Sequence, residues 1–309
     1  MLDGLRAGPL LVLDAGNALF RNGGGASPED LKRAHLLLSV MGRLGTRAMA
    51  VGVRDLSGGA DFLAAEARAA GVKALSANLT RDGKRLFEAS ALLEVGGLRV
   101  AVVGVSAPGP IVPGQPRAQA GPTLAAVKAA LAALPARELT VVLAATSAAD
   151  AQQLAEQLSG QVDLVLQSGE FRGTLPPQRV GESDVFLLAS GQKGQAVGAL
   201  TLTFGARGPL LDLSARERDA QQLGFVRSQR VAVEARVSAA ARPREKADLE
   251  ALVASLRERE AQLAAAEVPV PPGARTLKLD WVPLSATVVD DPAIKAEVLT
   301  VEPTYQGLH

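Results

Sequence analysis

"VGVRDLSGGADFL" (residues 51–63) follows the apolar run "RAMAVGV" (47–53) and opens a helix. Strand, tight turn and helix in immediate succession form the unit from which α/β folds are built. The turn at the strand's carboxyl end is where such folds place their chemistry. Here that turn carries Val53, Arg54 and Asp55. It holds no nucleophile with a base, no phosphate loop and no set of metal donors, so it speaks clearly about fold and says little about reaction.

The same alternation runs outward in both directions. Residues 9–16, apolar and ending in Asp-Ala-Gly, read as a buried strand. "ASPEDLKRAHLLLSVMGRLG" (26–45) reads as a helix, with Ser27 as N-cap, Pro28 at the first helical position, Glu29 and Asp30 in the first turn and Gly45 at its end. His35 within it is read as an ordinary helix residue. The glycine-rich "RNGGGAS" (21–27) before it lacks the Lys-Ser/Thr of a phosphate loop and is read as a plain loop. A helix over 59–70, a strand "VKALSANL" (72–79), a turn at "DGK" (82–84) and a hairpin turning at Gly96-Gly97 follow. Next come a helix over 123–134, a strand "ELTVVLAAT" (138–146), a helix over 148–158 and a strand "VDLVLQSG" (162–169). "DVFLLAS" (184–190) and "AVGALTLTF" (196–204) are expected to close as a pair. The pattern through about residue 213 predicts an α/β fold with a mixed sheet or two sheets between helices.

After Leu213 the chain turns highly charged and helical. Leu249, Leu252, Leu256 and Leu263 form an apolar seam, Val226, Val233 and Val237 a weaker one, and Pro243 breaks the run between them. An antiparallel helical hairpin over 214–267 is expected, either packed on the α/β body or standing out as a coiled-coil arm that meets a partner. "VPVPPG" (268–273) is a stiff linker, "TLKLDWVPLSA" (276–286) a strand and "DDPAIKAEVL" (290–299) a short helix. The expected organisation is therefore 1–213, 214–267 and 268–309.

Composition removes whole classes of chemistry. Hydrophobic residues make up 48% of 309 and aromatics 3%, so the core is aliphatic and base- or sugar-stacking surfaces are scarce. A net charge of +1 gives no reason to expect nucleic acid or an anionic membrane as partner. Without cysteine there is no thiolate nucleophile, disulfide or Cys-based metal site, and with two histidines, His35 and His309, no mechanism needing several imidazoles can be built. No apolar run reaches the ~18 residues of a membrane span, and "MLDGLRAGPLLVLDAG" does not read as a signal peptide, having an early acid and no basic start.

The ordered stretches "LVLDAGNALF" (11–20), "AMAVGVRDLSGGADFLAAEARAAGVKALSANL" (48–79), "LLEVGGLRVAVVGVSAPG" (92–109), "VVLAATS" (141–147) and "VDLVLQSGEF" (162–171) resemble the calcineurin-like metallophosphoesterases, within them the periplasmic 5′-nucleotidase branch. "PPQRVGESDVFLLASGQKGQAVGALTLTF" (176–204) is similar to the segment closing that catalytic domain, so the resemblance covers roughly residues 8–205. It implies a layered α/β/β/α sandwich and, in the family, two metal ions that generate a hydroxide and clamp phosphate oxygens. Matched position by position, the donors are gone. The resemblance puts Asn17 where a metal-bridging Asp stands, Val53 at the ligand Asn of "GNHEFDYG", Arg54 at its catalytic His and Asp55 at the neighbouring Glu. Ala145 falls at the histidine of "SH", and Gly169 and Phe171 at the two histidines of "GGHSH". Asp14 matches a framework position, and Glu170 is a further surviving oxygen donor.

The resemblance thus implies a non-catalytic scaffold or binding module, with no metal or other cofactor, exported as its branch is. Protein partners are expected through the helical hairpin or the C-terminal segment, and self-association through the hairpin is a further expectation. The competing reading is a divergent metal-dependent phosphoesterase using the residual carboxylates. Arg54 is expected to pair with Asp14 or Asp55, its guanidinium standing in for a cation. Alternatively Arg54, Arg172 and Lys193 bind an anion without hydrolysing it.

Overall fold

The structure, a computed structural model, describes residues 8–110, 118–169, 175–189, 196–205, 208–265, 270–285 and 288–305. The chain divides into two compact units, Met1–Gly198 with Trp281–His309, and Ala199–Asp280.

The first unit begins as alternating strands and helices. Strands β1 (Val12–Asp14), β2 (Thr46–Ala50) and β3 (Lys73–Leu75) pair in parallel in that order, and helices α1 (Pro28–Arg43) and α2 (Ala60–Ala69) make the crossovers. Helix α1 starts where its caps predict. Ser27 Oγ accepts the Asp30 N–H at 3.1 Å and the Asp30 carboxylate accepts the Ser27 N–H at 3.1 Å, a reciprocal capping box that satisfies two terminal donors. The helices bury Ala34, Leu38, Leu63 and Ala67 against Met49 and Val51.

A hairpin of β4 (Leu79–Arg81) and β5 (Lys84–Arg85) turns at Asp82-Gly83, both with positive φ, as the "DGK" signal predicts. The central sheet contains β6 (Ser90–Val95), β7 (Leu98–Ser106), β10 (Leu139–Ala145), β11 (Leu164–Ser168), β12 (Leu175–Arg179) and β13 (Phe186–Ala189), in the order β12-β13-β11-β10-β7-β6. Strands β6 and β7 form the hairpin expected at Gly96-Gly97. Between β7 and β10, β8 (Gly109–Pro110) and β9 (Ala118–Ala120) join β4 and β5 in a small sheet. Helices α3 (Thr123–Ala132) and α4 (Ala148–Gln157) cover the outer face of the central sheet, where Val127, Leu131, Leu154 and Leu158 pack on Val103, Val142 and Val165. On its inner face β7 packs against β2 and β3. The result is the layered α/β/β/α sandwich.

In the second unit, β14 (Ala196–Thr203), β15 (Leu211–Asp212) and β16 (Thr276–Pro283) form a sheet in the order β14-β16-β15. This corrects the expected closing pair. β13 instead continues the parallel register of β11, and β14 takes its partner from the C-terminal strand. Helices α5 (Leu213–Ala239) and α6 (Pro243–Ala265) form a hairpin with Pro243 at its bend. Its seam buries Leu223, Val226, Leu249 and Val253. Leu252, expected in that seam, is 44% exposed, because the 249–253–256 spacing puts it one position off the inward face. In line with the seam, Glu260 takes Arg227 at 2.9 Å and Arg230 at 2.8 Å.

Back in the first unit, α7 (Pro292–Val301), capped by Asp291, packs on α1. Among the described residues no helix is long and apolar enough to cross a membrane.

Candidate functional site

All the parallel strands of the sandwich finish toward one edge. Ala145 at the end of β10 lies in register with Ser106 of β7 on one side and Ser168 of β11 on the other. Asp14 ends β1, and the 51–55 turn follows β2. The loops leaving β1 and β2 are held together by one carboxylate.

That carboxylate is Asp55, which is fully buried. Its Oδ2 accepts the backbone N–H of Asn17 at 2.6 Å and of Gly52 at 2.9 Å, and its Oδ1 accepts the Leu19 N–H at 3.0 Å. Asp55 therefore clamps the loop after β1 to the turn after β2. Burial, with Asp14 nearby, pushes its pKa up to about 6 against the pull of those three donors. Asp14 also sits above the ordinary carboxylate range, mainly through desolvation, and accepts the Gly16 N–H at 2.7 Å.

Asn17 takes the middle of the edge. It adopts the left-handed conformation, φ 62°, which Asn tolerates better than most residues. Its amide oxygen accepts the Arg54 N–H at 3.3 Å and its amide nitrogen donates to Ser168 Oγ at 3.3 Å. Ser168 in turn donates to the Ala15 carbonyl at 2.6 Å. The amide lies so close over Gly52 that a Cβ there would stand 2.3 Å from Asn17 Oδ1. Around it, Ala145 is buried and apolar, and Gly169 brings backbone alone.

Arg54 does not pair with either carboxylate. Among the described residues it forms no ion pair, and its guanidinium reaches the Arg21 carbonyl at 3.5 Å, the long limit of a hydrogen bond. The reason is geometric. Both oxygens of Asp55 are turned inward onto backbone donors, Asp14 is turned onto its own loop, and Arg54 leaves the 3₁₀ turn Arg54–Gly58 in another direction. The glycine-rich loop supplies that carbonyl and a second contact, since Ser57 Oγ donates to the Asn22 carbonyl at 2.9 Å. Arg21 and Asn22 thus lie over the turn. Arg54→Ala is accordingly expected to change stability by no more than about 0.5 kcal/mol in a urea titration, as for a surface residue without a special partner.

Asp14, Asn17, Val53, Arg54, Asp55, Ala145 and Gly169 all fall on the loops and strand ends of this edge. Glu170, Phe171, Arg172 and Lys193 lie outside the described residues, so the anion site expected of Arg54 with Arg172 and Lys193 has one described member. His35 is on α1, where its Nδ1 meets Glu66 at 2.6 Å. Among the described residues there is no group of three or more His, Cys, Asp or Glu able to hold a metal ion.

Sequence reading overlooks a second network behind the edge. Asn78 is buried; its amide nitrogen donates to the Ser106 and Gly121 carbonyls, each at 2.8 Å, and its oxygen accepts from Ser106 N at 2.9 Å and Ser76 Oγ at 3.2 Å. Ser106 Oγ donates to the Val51 carbonyl at 2.6 Å. The four side-chain bonds of Asn78 knit the ends of β3 and β7 and, through Ser106, the strand entering the 51–55 turn. The signal that could have found it is the polar pair in "LSANL", Ser76 and Asn78, in an otherwise apolar stretch.

Comparison with known proteins places this architecture. No protein-family model matches the chain, and no curated protein matches it in sequence. Solved structures do. A 5′-nucleotidase precursor of Thermus thermophilus is 26% identical, covering 68% of this chain and 45% of that one with a TM-score of 0.54. The sulfate thiohydrolase SoxB of Thermus thermophilus, solved with glycerol, is 23% identical over 62% of this chain and 36% of its own, at a TM-score of 0.51. The calcineurin-like phosphoesterase YfkN of Bacillus subtilis shares 10% identity but covers 95% of this chain and 83% of its own, at a TM-score of 0.56. The chain spans less than half the length of the first two.

Proposed function

We propose, from the metallophosphoesterase-like 5′-nucleotidase fold that the chain has, that it works as a non-catalytic scaffold or binding module. The observation that carries this reading is the donor chemistry of the strand edge. A two-metal centre needs several anionic or imidazole donors aimed at one point. Here Asn17 offers a neutral amide already bonded on both sides, Val53 and Ala145 offer no donor atom, and Arg54 adds a fixed positive charge. Asp55, the buried carboxylate, gives both oxygens to backbone N–H groups. These residues do not fit a pair of metal ions, and no reaction step is assigned to one.

In this reading the protein partners bind at the helical hairpin or the C-terminal segment, with self-association through the hairpin as one form of that binding. Export follows the resemblance to the periplasmic branch and the precursor from Thermus thermophilus. The test is metal analysis of the purified chain together with assays on a generic phosphomonoester and a generic phosphodiester. No stoichiometric Mn, Zn or Fe and no turnover are expected. Stoichiometric metal, or turnover that a chelator removes, would overturn the proposal and favour a divergent hydrolase.

A further inference from the structure

We infer that α7 is a salt-releasable strap on α1, built to leave the first unit without unfolding it. Three observations point to this. First, α7 has no fully buried residue; its apolar stripe, Ile294, Val298 and Val301, is only half-buried. Second, charge ties its middle and its C-terminal end to α1. Arg43 grips Glu297 with two hydrogen bonds of 2.7 Å each, and Arg33 bonds Glu302 just beyond the helix while also holding Asp30 at 3.0 Å. All these groups are at the surface, where attraction is screened as salt rises. Third, an open groove of about 440 Å³ runs along the contact, lined by Leu31, His35 and Leu36 of α1, by Glu66 of α2 and by Glu297 and Val301 of α7. The contact is therefore incomplete even when the strap is down.

A ten-residue helix has little stability of its own in water. Once its ion pairs open, α7 is expected to leave α1 and melt in one step, uncovering the apolar side chains of the groove. The α1 core beneath, Ala34 and Leu38, is sealed by the sheet and is not disturbed. Stability of this kind sits at the low end of the range within a protein.

Native-state hydrogen exchange on the full chain tests this, comparing the amides of α7 with those of β7 and β10. Raising salt from about 0.1 M to about 1 M, which shortens the screening length from about 10 Å to about 3 Å, is expected to lower protection in α7 about threefold and leave β7 and β10 unchanged. Arg43→Glu should lower α7 protection by at least about threefold, and adding Glu297→Arg should restore most of it. Protection in α7 that ignores both salt and Arg43→Glu overturns the inference. So does protection that falls together with that of β7 and β10, which would make α7 part of the cooperative core.

Discussion

Asp55→Ala is expected to destabilise the protein by at least about 4 kcal/mol, seen as a lowered urea midpoint, or to prevent folding. The substitution strips the acceptor from three backbone donors at once. Among the described residues the N–H groups of Asn17, Leu19 and Gly52 have no second acceptor, and a buried donor left unsatisfied costs about 1–3 kcal/mol. Asp55→Asn is expected to fall between Ala and the native residue, because one oxygen remains to accept while the new NH₂ faces a donor. Arg54→Ala, one position away, is the internal control. If Asp55→Ala is as mild as Arg54→Ala, the clamp is not what holds the two loops together.

The same carboxylate shapes the dependence on pH. An unfolded Asp titrates near 3.9, and burial brings Asp55 to about 6 in the fold. Between those values the folded chain holds a proton that the unfolded chain has lost, so this group's contribution falls as pH rises. The part of the stability linked to that proton is complete below about 4 and lost above about 6, a change of about 3 kcal/mol across the window, while the three backbone bonds remain. Asp55→Asn should remove that slope. A native profile with no Asp55-dependent loss between pH 4 and pH 6 would contradict it.

How much of this can be read from sequence depends on range. The caps of α1, the Gly96-Gly97 hairpin and the Asp82-Gly83 turn are local devices, and each forms where its residues predict. The succession of apolar runs conveys the sandwich for the same reason. Pairings between distant segments are another matter. Nothing within residues 196–204 reveals that their partner strand comes at 276–283, so two apolar runs in sequence order look like a pair when they are not. The strand edge divides in the same way. That residues 14–17, 53–55, 145 and 169 converge follows from strands ending at one edge. That Asp55 serves as a clamp does not, since its donors lie at 17, 19 and 52 and belong to the backbone, which leaves no trace in residue type. One local rule was available against the Arg54–Asp55 pair: adjacent residues of a helical turn point away from each other.

The second large effect lies where the two sheets meet. Gly104, in β7, is buried beside β3, and a Cβ built on it would stand 2.3 Å from the Leu75 carbonyl oxygen and 2.5 Å from Leu75 Cβ. Neither neighbour can rotate away. The oxygen belongs to backbone and accepts the Val51 N–H at 3.0 Å, which anchors the strand leading into the 51–55 turn. Gly104 itself accepts the Ala77 N–H at 2.8 Å, so β7 cannot retreat without breaking a bond on that side either. Gly104→Ala must push the sheets apart, against an interior already packed to near crystal density. The expected loss is about 3 kcal/mol or more, at the upper end for added volume because the clash is with main chain. Gly25→Ala, on the exposed loop, has nothing within 4 Å of the new methyl and should stay within about 0.5 kcal/mol. Because the displaced strand carries Asn78 and the Val51 contact, Gly104→Ala should also lower hydrogen-exchange protection at Gly52 and Asp55 more than at Val142 in the outer core. Equal loss at all three would mean that the substitution weakens the fold generally, and that the sheet junction does not position the strand edge.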